Sequence, residues 1–193
     1  MIGEIDILEN VNGASTAWQT IHCGPNAPGV PCNEYTGVTS QAAGLDRSRF
    51  HKFSVDIDRT NPGESWKGEK VVWRIDGNVV FTVDENRVNN ETAWTAVTRT
   101  PKFMLLNVAV GGSFPDNVAN PTLGKTPTSA TVGGKGSAME VRYVAILALE
   151  LAYLRIREWG EPNNSYLLRL LIWPLELVPT ESSVGQYYGA WRK

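Results

Sequence analysis

The stretch that most constrains the fold is Gly3-Glu4-Ile5-Asp6-Ile7-Leu8-Glu9, where three carboxylates fall within six residues of otherwise strand-forming sequence. Ile5, Ile7 and Leu8 suit a pleated, half-buried surface, whereas Asp and Glu are depleted from strands and repel one another when they share a face. A strand that accepts this cost is expected to use its acids. Side chains alternate along a strand, so Glu4 and Asp6 share a face while Glu9 of a regular strand points the other way. A β-bulge at Ile7-Leu8 sets two residues opposite one on the partner strand and returns Glu9 to the face of Glu4 and Asp6.

With the bulge, the Glu4 and Glu9 backbones stand roughly 13 Å apart along the strand. Two Glu side chains leaning together across a concave sheet close that gap to the ~5–5.5 Å that separates the two carboxyls of a retaining glycosidase. The competing reading is three solvated acids on an edge strand.

The rest of the chain reads as β structure with short turns. With 193 residues, 42% of them hydrophobic, 18 Gly and 11 Pro, it has material for one turn-rich domain with a core. Ala17-Trp18-Gln19-Thr20-Ile21-His22-Cys23 is a second strand that can return beside the acidic one and bring His22 to the carboxylates, although a lone His is often structural. Gly24 to Gly44 reads as a long loop, and Phe53 to Asp58 alternates as a half-exposed strand. Val71-Val72-Trp73-Arg74-Ile75 and Val79-Val80-Phe81-Thr82-Val83 flank Asp76-Gly77-Asn78, a hairpin signal. Ala93, Trp94 and Val97 have helical spacing before Pro101.

Phe103 to Val110 is nearly all apolar, as in a strand buried on both faces. Its exception, Asn107, either ties down a loop or faces a polar cleft where it can hold a sugar hydroxyl. Phe114, in the loop Gly111 to Asp116, either stacks on a sugar ring or anchors its loop. Ala138 to Ala145 alternates as a last strand. Many strands with little helix indicate an all-β sandwich or jelly roll. Beyond Ala145 the character changes: 146–159 and 166–173 are helix candidates, read as a tail foreign to the β domain.

Cys23 and Cys32 bracket a Gly/Pro/Asn-rich loop. A disulfide between them implies an oxidising compartment and stabilises by roughly 2.5–3 kcal/mol in the chain-entropy model. Two free thiols are the alternative, and a metal site from two cysteines alone is poor. Asn90-Glu91-Thr92 and Asn163-Asn164-Ser165 match the glycosylation sequon. The net charge is −2 with no basic run, so neither nucleic acid nor an anionic membrane is an expected partner. Met1-Ile2-Gly3 leads directly into the acidic strand without a signal-peptide pattern.

Taken in order, the acidic strand, Thr20-Ile21-His22, Trp73-Arg74-Ile75-Asp76-Gly77, Leu106-Asn107-Val108-Ala109-Val110-Gly111-Gly112 and the last strand resemble glycoside hydrolase family 16. Within it they look most like the fungal laminarinase-type endo-1,3(4)-β-glucanases, whose acidic motif carries the same extra residue. The resemblance spans residues 3 to 145. It implies a concanavalin A-like jelly roll in which Glu4 is the nucleophile, Glu9 the acid/base and Asp6 the partner of the nucleophile. His22 would sit beside the acid/base, with Asn107, Phe114 and Trp18 as sugar contacts.

The resemblance further implies a β-glucan substrate, an extracellular, monomeric enzyme, no cofactor and no catalytic metal, with room for a structural Ca²⁺ such as some relatives bind. Family members place part of the jelly roll before the acidic strand. The expectation is therefore a partial catalytic domain at 1–145, incomplete at its N-terminus as in a truncated or mis-spliced product, followed by an out-of-family helical tail at 146–193. A glucan-binding relative without hydrolytic activity is the alternative function.

Overall fold

The computed structural model describes residues 3–24, 31–59, 66–118, 127–133 and 138–146, together with two later strands at 176–179 and 186–192. The elements are β1 (Glu4–Asn10), β2 (Ala17–His22), β3 (Val38–Ala42), β4 (His51–Asp58), β5 (Lys70–Ile75), β6 (Asn78–Asp84), α1 (Glu85–Val88), α2 (Glu91–Thr98), β7 (Phe103–Ala109), α3 (Ser113–Val118), β8 (Met139–Tyr143), β9 (Glu176–Pro179) and β10 (Gln186–Arg192). They form an antiparallel β-sandwich of the jelly-roll class. One sheet has the order β3-β2-β1-β10-β7 and the other β6-β5-β4-β9-β8.

The acidic strand lies at the centre of the first sheet, and its register against both neighbours slips by one residue. Against β2, Asp6 pairs with Thr20 and Glu9 with Trp18, so three steps on β1 match two on β2. Against β10 the slip falls between Asp6 and Leu8. This is the bulge that the spacing of the acids required. It turns both Ile7 and Leu8 into the core, where they pack with Ala17, Leu45 and Phe53. Ile5 joins Ile21, Val38, Val71, Trp73, Val83, Trp94 and Val97 in a second buried cluster between the sheets.

A bulge interrupts the ladder and leaves a backbone group in need of another partner. The buried Trp73 of β5, in the opposite sheet, donates its indole Nε1–H to the Asp6 carbonyl at 3.0 Å. The two sheets are thus tied together at the distorted point of β1. Trp73 is itself carried by the hairpin read from the sequence, whose turn residues Asp76 and Gly77 have φ of 52° and 84°, the conformation an Asp-Gly turn provides. The short helical stretch before Pro101 forms α1 and α2, and Asn90 caps α2 by accepting the Ala93 N–H at 2.9 Å.

Three expectations change. The stretch 24–44 is not loop throughout: β3 forms there, because Thr39, Ser40 and Gln41 can pair with β2 at a sheet edge while only Val38 needs the core. The strand expected to be buried on both faces, β7, stands at the end of the first sheet and, among the described residues, pairs with β10 alone; Phe103, Leu106 and Val108 are exposed. Finally, the region expected as a helical tail contributes two strands. β10 lies between β1 and β7, and β9 lies between β4 and β8. Glu176-Leu177-Val178 and Tyr187-Tyr188 through Trp191 carry strand-forming residues, and short apolar runs do not distinguish helix from strand by period. Apart from Ile146, both helix candidates and the second sequon lie outside the described residues.

Replacing Trp73 by Phe keeps most of the ring but leaves the buried Asp6 carbonyl without its donor. The expected loss is about 1–3 kcal/mol, read as a lower denaturation midpoint at unchanged slope. A loss below about 0.5 kcal/mol would show that the tether contributes nothing beyond ordinary packing.

Candidate active site

Cross-strand partners share a face, so the pairings define the surface around the acids. Glu4 is opposite His22, Asp6 opposite Thr20, and Glu9 opposite Trp18, which puts all six on the face turned away from Ile5 and Ile21. On the other side, Glu9 pairs with Tyr188 of β10, and Tyr188 pairs with Asn107 of β7. Asn107 therefore belongs to the acidic face, in the same row as Glu9 and two strand spacings away, about 9.5 Å.

The three acids differ in environment. Asp6 is buried, whereas Glu4 and Glu9 are half-exposed. Glu9 accepts a hydrogen bond from Thr20 Oγ1 at 3.2 Å. Burial pushes its carboxyl above the ordinary value, the Thr20 hydrogen bond and the His22 ring pull it down, and the Glu4 charge adds to the rise; the net direction is upward. The strand thus presents a carboxyl biased toward its protonated form on the same face as a second carboxyl. That is the polarity an acid/base and nucleophile pair requires.

His22 sits between carboxylates. Its Nε2 lies 3.5 Å from Asp6 Oδ2 and its Nδ1 lies 2.6 Å from Glu34 Oε2. Its contacts are thus with Asp6 and Glu34, while its influence on Glu9 is through space. Trp18 is buried, and its ring meets that of Phe114 edge to face, 5.7 Å between centroids at 83°. Phe114 is half-buried on α3, in a stretch read as loop. Cys23 and Cys32 are joined by a disulfide, with Cα atoms 5.6 Å apart, directly after His22. Among the described residues, no three His, Cys, Asp or Glu side chains come together as a metal site.

Two residues of this surface were not identified from the sequence. In the sequence Thr20 stands out only as a neighbour of His22, although its period-two relation to His22 places it on the same face. Glu34 gave one usable sign, an acid two residues beyond a cysteine of a closed loop.

With this geometry in hand, comparison with known structures finds an endo-1,3-β-glucanase from Streptomyces sioyaensis, similar at a TM-score of 0.58 and 26% identity. The fold is glucanase-like. The alignment covers 98% of this chain and 49% of the Streptomyces protein, so the chain spans about half the length of that enzyme. No family model matches the chain, and no curated protein matches it.

The raised Glu9 carboxyl has a consequence for stability. A group whose folded pKa lies above its unfolded value, ordinarily 4.5, stabilises the fold fully below that value and loses the contribution as pH rises through the folded one. Glu9→Gln is therefore expected to melt above the native chain near pH 7.5. The difference should shrink near pH 4. Thermal melts at both pH values check this, and a variant less stable than the native chain at the higher pH contradicts it.

Proposed function

We propose that this chain carries the catalytic surface of a retaining endo-β-glucanase of the glycoside hydrolase family 16 kind, acting on β-1,3 or mixed β-1,3/1,4 glucans. The observation that carries the reading is the bulge that sets Glu4, Asp6 and Glu9 on one face of the sheet. The likeness to a bacterial endo-1,3-β-glucanase over nearly the whole chain supports it. Residues 3–145 supply the acidic face, and the later strands β9 and β10 complete its sheets.

In this reading Glu4 attacks the anomeric carbon, forming a glycosyl-enzyme ester, while Glu9 donates its proton to the departing glycosidic oxygen. Glu9, now ionised, takes a proton from the water that attacks the ester, and the sugar leaves with its original anomeric configuration. The burial that raises Glu9 favours the protonated form needed for the first step. Asp6, between Glu4 and Glu9, would hydrogen-bond the nucleophile and help keep the two carboxyls in different protonation states. Asn107 on the far side of the row, with Phe114 and Trp18 at the other, suits the flanks of a bound sugar chain. The reaction uses protein groups alone and needs no cofactor. The disulfide suits an extracellular enzyme.

The alternative reading is a glucan-binding protein without hydrolysis. One assay separates the two. Native chain is expected to release reducing sugar from laminarin or lichenan with retained anomeric configuration. Glu9→Gln should lower kcat by about 10²–10⁴, and Glu4→Gln by at least as much. Binding of laminarin without any release would favour the second reading, and activity that survives Glu4→Gln would rule out the mechanism.

A further inference from the structure

Outside the acidic strand, Glu34 is a buried carboxylate whose place needs an explanation. It lies in the connection between the disulfide and β3, in a segment without regular structure, yet its side chain is only 6% exposed. Burying a carboxylate is costly unless it is hydrogen-bonded and paired. Glu34 meets that cost at two points: Oε1 accepts the Cys23 backbone N–H at 2.9 Å, and Oε2 lies 2.6 Å from His22 Nδ1.

The surroundings leave Glu34 and the His22 ring little freedom. Cys32, two residues before Glu34, is bonded to Cys23, the residue after His22. The chain then turns back at once, with the N–H groups of Thr36 and Gly37 both donating to the Asn33 carbonyl at 3.0 and 3.1 Å. Gly37, at φ +74°, closes over the site: a Cβ there would stand 2.9 Å from His22 Cε1 and 2.6 Å from Thr20 Cγ2. One short segment therefore both covers the imidazole and places a carboxylate on its Nδ1. With that nitrogen held, Nε2 lies 3.5 Å from Asp6 Oδ2. A carboxylate on one ring nitrogen is a general way of fixing which way the other points and what it carries.

We propose that Glu34 is a positioning residue of the catalytic surface. Held by the Cys23 N–H beside the Cys23–Cys32 disulfide, it fixes the His22 ring so that Nε2 stays beside Asp6, and it acts on turnover only through His22. The inference rests on the glucanase reading for its kinetic consequence and stands apart from it for its structural one.

The test compares Glu34→Ala, His22→Ala and the double variant, with Glu34→Gln as the near-isosteric arm that keeps the buried volume and an acceptor for the Cys23 N–H. Long-range proton–nitrogen spectra of the two imidazoles report the ring directly, with His51 as internal control. Glu34→Gln is expected to move the His22 ring signals and leave those of His51 in place. On laminarin, either Glu34 variant should lower kcat about ten- to a hundredfold with KM changed less than about twofold. The double variant should be no slower than His22→Ala alone, within about twofold. Unmoved His22 signals in a folded Glu34 variant, or losses that multiply in the double variant, overturn the proposal. If the native chain hydrolyses no glucan, the glucanase reading fails while the ring signals still decide the role of Glu34.

Discussion

The structure depends on one distortion of one strand. Without the bulge at Ile7-Leu8, Glu9 would face the core and Leu8 the open surface, and neither the acidic face nor the cluster of Ile7 and Leu8 with Ala17, Leu45 and Phe53 could form. A bulge is stable only if its disturbed backbone finds partners and its displaced side chains find a core. Trp73 supplies the first, reaching from the opposite sheet to the Asp6 carbonyl, and the pocket lined by Ala17, Leu45 and Phe53 supplies the second. The same interaction that ties the sheets together therefore fixes the phase of the acids. Packing and chemistry are set at one point in the chain.

Once the acids share a face, their electrostatics follow from what β2 and its flanking loop place beside them. Three carboxylates in a row repel, and the surroundings answer that repulsion unevenly. Asp6 is buried next to the His22 ring, Glu9 is buried enough to favour its proton while Thr20 moderates the effect, and Glu4 lies opposite His22 at the strand's start. Such unevenness is what divides a pair of chemically similar groups into an acid and a base. Glu34 extends the arrangement outward, so that a segment anchored beside the disulfide, rather than a sheet, sets the orientation of the imidazole.

The acidic strand and its bulge were legible in the sequence because their signal is local: the period of a strand and the spacing of Glu4, Asp6 and Glu9 leave one economical solution. The Asp76-Gly77 hairpin was legible for the same reason, since its turn chemistry is carried by adjacent residues. What could not be read depended on partners distant in the chain. β7 has the composition of a buried strand, yet among the described residues it stands at the end of the sheet order, with Phe103, Leu106 and Val108 exposed. β3 is polar because it is an edge, and β10 takes its place from backbone pairing with β1 and β7 that no local period announces. Glu34 shows the same limit at the site: its role comes from a fold-back that brings it to His22 across twelve residues.

In the proposed function the bulged strand presents Glu4 as the group that bonds to the sugar while Glu9 handles the proton. Covalent trapping tests it most directly. The chain is treated with a fluorinated laminaribioside bearing an activated leaving group, then digested, and the labelled peptide is sequenced by mass spectrometry. The account predicts a single glycosyl ester on Glu4. A label on Glu9, or on a residue outside β1, would contradict it.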